Sequence, residues 1–395
     1  MIKRELPKER FNDFTKVLPE VEKIINEVRT KGDKALIELE EKFNKIKLNS
    51  IKLQKIEEFA SQINSDLKQA IDVIYSQLYE FNSLIKPPNI IGGGSNGIEY
   101  GVIWKSIERV GIYVASGDKI YPLMLLMAGV PAVVAGVNEI YVATPPNKIT
   151  PVIAYIGLKL NVKEIYTVSG AQAIAALAYG TETVKKVDKI VGFGDAYVQA
   201  AKYLVSKDVE IDGIEGPTEL VIIADEAANP HHIVLDLKAQ AEIDDRAFLV
   251  LFSNSDKILD VVSKELEKDA NTYYLIKVND IDEAIKLANE LMPRRLSLYV
   301  ANARIYLSRI KNAGVIVLGD TPPAMIDYSV GPNNILSTHK WPKIRSGISV
   351  YEYLTMVAYV SSVNPDKKII DAIKILAKYE GFDYYVKSIG ARYNY

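Results

Sequence analysis

EIYTVSGAQAIAALAYGTETVKKVDKIVGFG, residues 164–194, decides the fold class. A short β-branched run ends at a glycine, an alanine-rich helical segment follows over 171–179, and a second apolar run closes on two glycines. Strand, helix and strand at this spacing form the unit that joins parallel strands, because a parallel pair needs a long crossover. The same alternation extends both ways. RVGIYVAS (109–116) and EIYVATPP (139–146) precede it, with a helix predicted over 122–136. ELVIIAD, AFLVLFSN, TYYLIKV, LSLYVAN and GVIVLGD repeat the scheme over 219–320, with IDEAIKLANELM as an intervening helix. Such alternation predicts an α/β protein with two Rossmann-like parallel-sheet domains, each sheet covered on both faces.

The flanks read differently. Residues 18–45 predict two amphipathic helices separated at Gly32 and Asp33, and 56–85 a third; KPPNIIGGGSNG then reads as a hinge. From about residue 349 the pattern is read as helical again, ending in the tail YEGFDYYVKSIGARYNY. The expected division is a helical N-terminal region (1–98), two α/β domains (99–208 and 209–345) and a helical C-terminal region with a tail (346–395).

Composition excludes several chemistries. The 395 residues carry 48 Lys+Arg against 50 Asp+Glu, so no basic surplus favours a nucleic-acid partner. With no cysteine there is no disulfide, thiolate zinc site or cysteine nucleophile. The stretch YPLMLLMAGVPAVVAGV is interrupted by Pro122 and Pro131 and is too short to span a bilayer, and the start MIKRELPKERF lacks a signal-peptide core. A cytoplasmic protein with no membrane partner is expected. Of the three histidines, His231 and His232 are adjacent at a predicted helix start and point apart, and His339 lies in a loop without a sequence neighbour to share a metal.

Polar clusters fall beside the strands: VGFGD (191–195), SGAQAIAALAYGT, EGPTE, KAQAEIDD and IDYSVGPNN. Taken singly each reads as a turn or a helix cap, VGFGD included. MPRRLSLYV (292–300) adds a question, since two arginines stand at the mouth of a strand.

Taken in order, RVGIYVASG…YP, AGVPAVVAGVNEIYVATPP, SGAQAIAALAYGT, IDGIEGPTELVIIADE, KAQAE, DYSVGPN and EG…IGAR resemble histidinol dehydrogenase over nearly the whole chain. The resemblance implies a zinc-requiring, NAD-dependent oxidation of L-histidinol through the aldehyde to L-histidine. It also implies an intertwined homodimer whose tail reaches the partner's active site. Tyr113, Gln172 and Asp195 match cofactor-contacting positions, although the family's asparagine has become Asp195; Thr218 and Glu380 match substrate-contacting ones. Of the zinc ligands, Gln240 and Asp327 remain, whereas the histidine of QAEH is Ile243 and the tail histidine aligns with Tyr385. The acid/base pair of PEHL is Arg294-Arg295, and the histidine of PNH is Asn334.

A guanidinium has no acceptor lone pair and stays protonated near neutral pH, so neither arginine can serve as a general base. Two oxygen donors also fall short of the four-ligand shell zinc favours. Zinc is therefore expected to be weakly held or absent, with NAD the cofactor implied by resemblance. Three readings stand: a homologue that has lost its zinc-dependent activity; a dehydrogenase working on histidinol or another alcohol with other groups; and a binding or scaffold protein, using the arginine pair as an anion site or pairing with an intact relative.

Overall fold

The structure, a computed structural model, describes residues 1–7, 14–115, 121–328, 330–336, 338 and 341–393. His339 lies outside the described residues. The strands in chain order are β1 Ile2–Lys3, β2 Ile90–Gly93, β3 Ile98–Ser106, β4 Arg109–Tyr113, β5 Glu139–Ala143, β6 Glu164–Tyr166, β7 Lys189–Val191, β8 Glu210–Ile211, β9 Glu219–Ala224, β10 Phe248–Ser253, β11 Tyr273–Lys277, β12 Arg295–Tyr299, β13 Val315–Leu318 and β14 Leu354–Ser362. The α-helices are α1 Leu18–Lys31, α2 Asp33–Asn44, α3 Ile56–Ala60, α4 Ser65–Ile85, α5 Pro122–Ala135, α6 Pro151–Lys159, α7 Gly170–Tyr179, α8 Ala196–Val205, α9 Pro230–Ile243, α10 Asp256–Leu266, α11 Ile281–Leu291, α12 Ala324–Asp327, α13 Lys367–Tyr379 and α14 Asp383–Gly390.

The chain divides into two compact units, 1–85 with 107–353, and 86–106 with 354–395. The first holds two sheets. A five-stranded sheet runs β6-β5-β4-β7-β8, and a six-stranded sheet runs β1-β11-β10-β9-β12-β13; every pair in both is parallel. The α/β class and both parallel sheets are as the strand-helix alternation predicts. Strand order reverses between β4 and β7 in one sheet and between β9 and β12 in the other, the switch points where open α/β sheets form crevices.

Both faces of the six-stranded sheet are buried, which is why its strands read as continuous apolar runs. Leu220, Ile222, Leu249, Leu251 and Tyr299 pack with α9 and α10 on one face. Val221, Ile223, Val250, Leu296 and Leu298 pack with α11 on the other. The two-residue alternation of β12 therefore sends Leu296 and Leu298 one way and Arg295, Ser297 and Tyr299 toward α9.

The helix predicted over 56–85 is two, α3 and α4, because residues 61–64 form a turn and Asn64 accepts the Leu67 N–H at 2.8 Å. In the second unit, residues expected to be helical from about 349 begin instead as the strand β14, which pairs antiparallel with β3 across nine residue pairs. β2, inside the expected hinge, completes this three-stranded sheet. The run LTMVAYVSS is rich in β-branched residues, but its partner lies some 250 residues upstream, so nothing local fixes it as a strand.

Candidate active site

Met292 caps α11 with a left-handed backbone (φ 52°), and Pro293 and Arg294 lead into β12 between β9 and β13. Arg295 thereby starts a central strand facing α9, and it is completely buried. Its Nη2 meets Asp327 Oδ1 at 2.5 Å and also donates to Asn334 Oδ1, while Nη1 donates to Gln240 Oε1. Gln240 closes the ring by donating Nε2 to Asp327 Oδ2 at 2.5 Å. One helical turn earlier on α9, Asp236 accepts the Tyr299 hydroxyl, so α9 and β12 face each other through a polar ladder.

Arg294 is nearly as buried, with 6% of its surface exposed. Its backbone N–H donates to Glu219 Oε2 at 3.0 Å and its Nη2 to the Asn334 carbonyl at 2.6 Å. Burial lowers the pKa of both arginines; Arg295 comes down to about 10, with Asp327 opposing the shift, and it remains a cation at neutral pH. The two charges at the mouth of the strand are not a solvated turn.

These residues do not fit zinc. Gln240 and Asp327, the two remaining ligand positions, are joined to each other and to a guanidinium, so a protein cation already sits among the donors. Ile243 offers no donor and is 36% exposed. Tyr385 belongs to the other unit, where its ring lies 5.3 Å from that of Phe382. Among the described residues, no group of three or more His, Asp or Glu could hold a metal. At the start of α9, His231 is exposed and His232 half-buried, beside Glu265 (3.2 Å) and Asp320 (2.6 Å) respectively.

The cofactor-matching residues follow the carboxyl ends of three strands, Tyr113 at β4, Gln172 on α7 after β6 and Asp195 after β7. Tyr113 Oη accepts the Gly170 N–H at 2.9 Å. Gln172 donates Nε2 to Glu40 Oε1 at 2.8 Å, and the same oxygen takes the Ser169 N–H and hydroxyl, each at 2.7 Å. Asp195 caps α8, accepting the Tyr197 and Val198 N–H groups at 3.0 Å. The amides that could receive a pyrophosphate at that helix thus already face a carboxylate, which does not fit a second anion there. VGFGD is more than the plain turn expected of it. Gly192 has φ +123°, and a Cβ on it would lie 2.2 Å from the Tyr113 carbonyl oxygen.

Sequence reasoning passed over a second buried cluster. Lys202 Nζ lies 2.6 Å from Asp212 Oδ1, 2.6 Å from Glu215 Oε2 and 2.6 Å from the Gly192 carbonyl. All three charged side chains are buried, and burial foremost raises Glu215 to about 8. The available signal was a lysine inside the apolar helix AYVQAAKYLV and two acids three residues apart ahead of GPTE. Thr218, in that loop, is 5% exposed; its N–H faces Asp244 at 3.4 Å and its carbonyl accepts from Phe248 N. Glu380 ends α13 in the other unit, exposed.

A family model described as histidinol dehydrogenase matches residues 8–393. Histidinol dehydrogenases from Sulfurisphaera tokodaii and Sulfolobus acidocaldarius are 69% and 57% identical to this chain, each over 100% of both chains. The crystal structure of histidinol dehydrogenase from Elizabethkingia anophelis superposes with a TM-score of 0.91 at 29% identity, covering 99% of this chain and 94% of that one. An acetylating aldehyde dehydrogenase from Geobacillus thermoglucosidasius shares the fold alone, at 14% identity and a TM-score of 0.53. With a match of this length and identity, the chain belongs to the histidinol dehydrogenase family.

Proposed function

We propose that this member of the family has lost the zinc-dependent oxidation of histidinol. The observation that supports this reading is the sealed Arg295 guanidinium between Gln240, Asp327 and Asn334. A metal would supply several kcal/mol by polarising the reacting oxygen, and the acid/base pair about 10²–10⁴-fold more. Neither contribution is available from these side chains. The test is NADH formation from L-histidinol and NAD by purified protein, with added zinc and with chelator. Turnover that zinc supports would refute the reading.

A second reading is favoured by the full-length relatives named histidinol dehydrogenase at 54–69% identity. In it the protein still oxidises histidinol with other groups, and turnover would survive a chelator. The anion-site reading gains nothing from the geometry, because both guanidinium groups are buried and engaged.

The proposal extends to assembly as a homodimer in the cytoplasm. Ile91, Val360, Val363, Leu376, Tyr379 and Tyr384 in the second unit are between 60% and 90% exposed, an apolar surface suited to a second copy. No described helix is long and apolar enough to cross a membrane. Sedimentation equilibrium is expected to give twice the chain mass; a monomer at micromolar concentration would count against the dimer.

A further inference from the structure

The cluster around Arg295 carries one more consequence, which rests on the reading above. Its members come from four places in the chain: α9 gives Gln240, α12 gives Asp327, the 330–336 segment gives Asn334, and β12 gives the cation. Asp327 supplies the single carboxylate, and the other two acceptors are neutral amides. Beyond these contacts, the charges of Glu219 and Arg294 act on Arg295 in opposite directions, so the balance is still one negative charge against one guanidinium, and a dication is left under-compensated in a dry site. The donors of a guanidinium also lie in one plane, as a fork that reaches several oxygens side by side. Zinc asks for a tetrahedral shell of nitrogen, sulfur or carboxylate ligands. Charge and shape both select a planar monocation.

We infer that the Arg295 side chain is a built-in structural cation, and that removing it leaves a site that binds a free guanidinium-type cation and not zinc. The site is Gln240 Oε1, Asp327 Oδ1 and Asn334 Oδ1, and its ligand class is guanidinium or methylguanidinium. Arg294 does not compete for it, because its Nη2 is committed to the Asn334 carbonyl, which holds the asparagine from behind at 2.6 Å.

The experiment compares thermal unfolding of wild type and Arg295→Ala with 10 mM methylguanidinium, 10 mM sodium or 0.1 mM zinc, concentrations chosen to stay far below denaturing. Arg295→Ala is expected to melt below wild type and to regain part of the loss with methylguanidinium alone. At ten times its dissociation constant the ligand raises the folded-to-unfolded ratio about eleven-fold. Wild type should show no gain, since its own side chain fills the place. If Arg295→Ala does not accumulate as folded protein, the yield on refolding from urea with and without methylguanidinium reads the same property. No gain from methylguanidinium in either format overturns the inference, as does an equal gain from zinc. Histidinol turnover by wild type would defeat the functional reading while leaving this result untouched, so the two failures are distinguishable.

Discussion

Arg295 is held by a single carboxylate, and that sets what a change at Asp327 does. Asp327→Asn removes the charge but keeps the shape, leaving a buried guanidinium with no carboxylate in contact and only the charge of Glu219 to offset it. Breaking a buried pair from one side typically costs about 3–5 kcal/mol, whereas replacing both partners by uncharged groups is often neutral. Asp327→Asn should therefore lower the urea midpoint strongly, and Arg295→Met with Asp327→Asn should recover most of the loss. Additive losses in the double variant would show that the pair is not coupled. The sequence made each of these residues visible but not their meeting. It aligned the arginines with an acid/base pair and Gln240 and Asp327 with ligand positions. Gln240 is 55 residues from Arg295 and 87 from Asp327, and no local pattern states that the strand turns Arg295, rather than Leu296, toward α9.

Elements were legible where their periodicity was local, and illegible where the partner was remote. Apart from the two-residue strands β1 and β8, which no predicted run contains, the strands of both parallel sheets and the break between α1 and α2 at Gly32 follow from apolar runs and a glycine with φ +57°. β14 was misread because its register depends on β3 alone. The Glu40 carboxylate on α2, which fixes the start of α7 through Ser169 and Gln172, looked like one more acid on an amphipathic helix. The same is true of the Lys202–Asp212–Glu215 cluster joining α8 to the loop ahead of β9. Burial, then the charge of Asp212, raises Glu215 from its ordinary 4.5 to about 8. A raised carboxyl gives stability that is complete below about pH 4.5 and is lost as pH climbs through about 8. The urea midpoint of wild type should fall between pH 6 and pH 9. Glu215→Gln leaves Lys202 paired with Asp212 alone and should flatten that fall. An unchanged slope in Glu215→Gln would assign the titration elsewhere.

For the whole molecule, the two parallel sheets bring residues from the full length of the first unit to a few switch points, and that scaffold agrees with the family over 99% of the chain. The architecture is thus that of the family, and the proposal concerns the metal position alone: in it the Arg295 guanidinium stands where the family's ion would, and Asp195 caps the start of α8 where the resemblance implies an amide. The central claim is the loss of zinc-dependent catalysis, and steady-state NADH formation from L-histidinol by the wild-type protein tests it most directly. Measured after dialysis against zinc, the rate should equal the no-enzyme background and should not change when a chelator is added. A rate above background that the chelator abolishes and zinc restores would contradict the account.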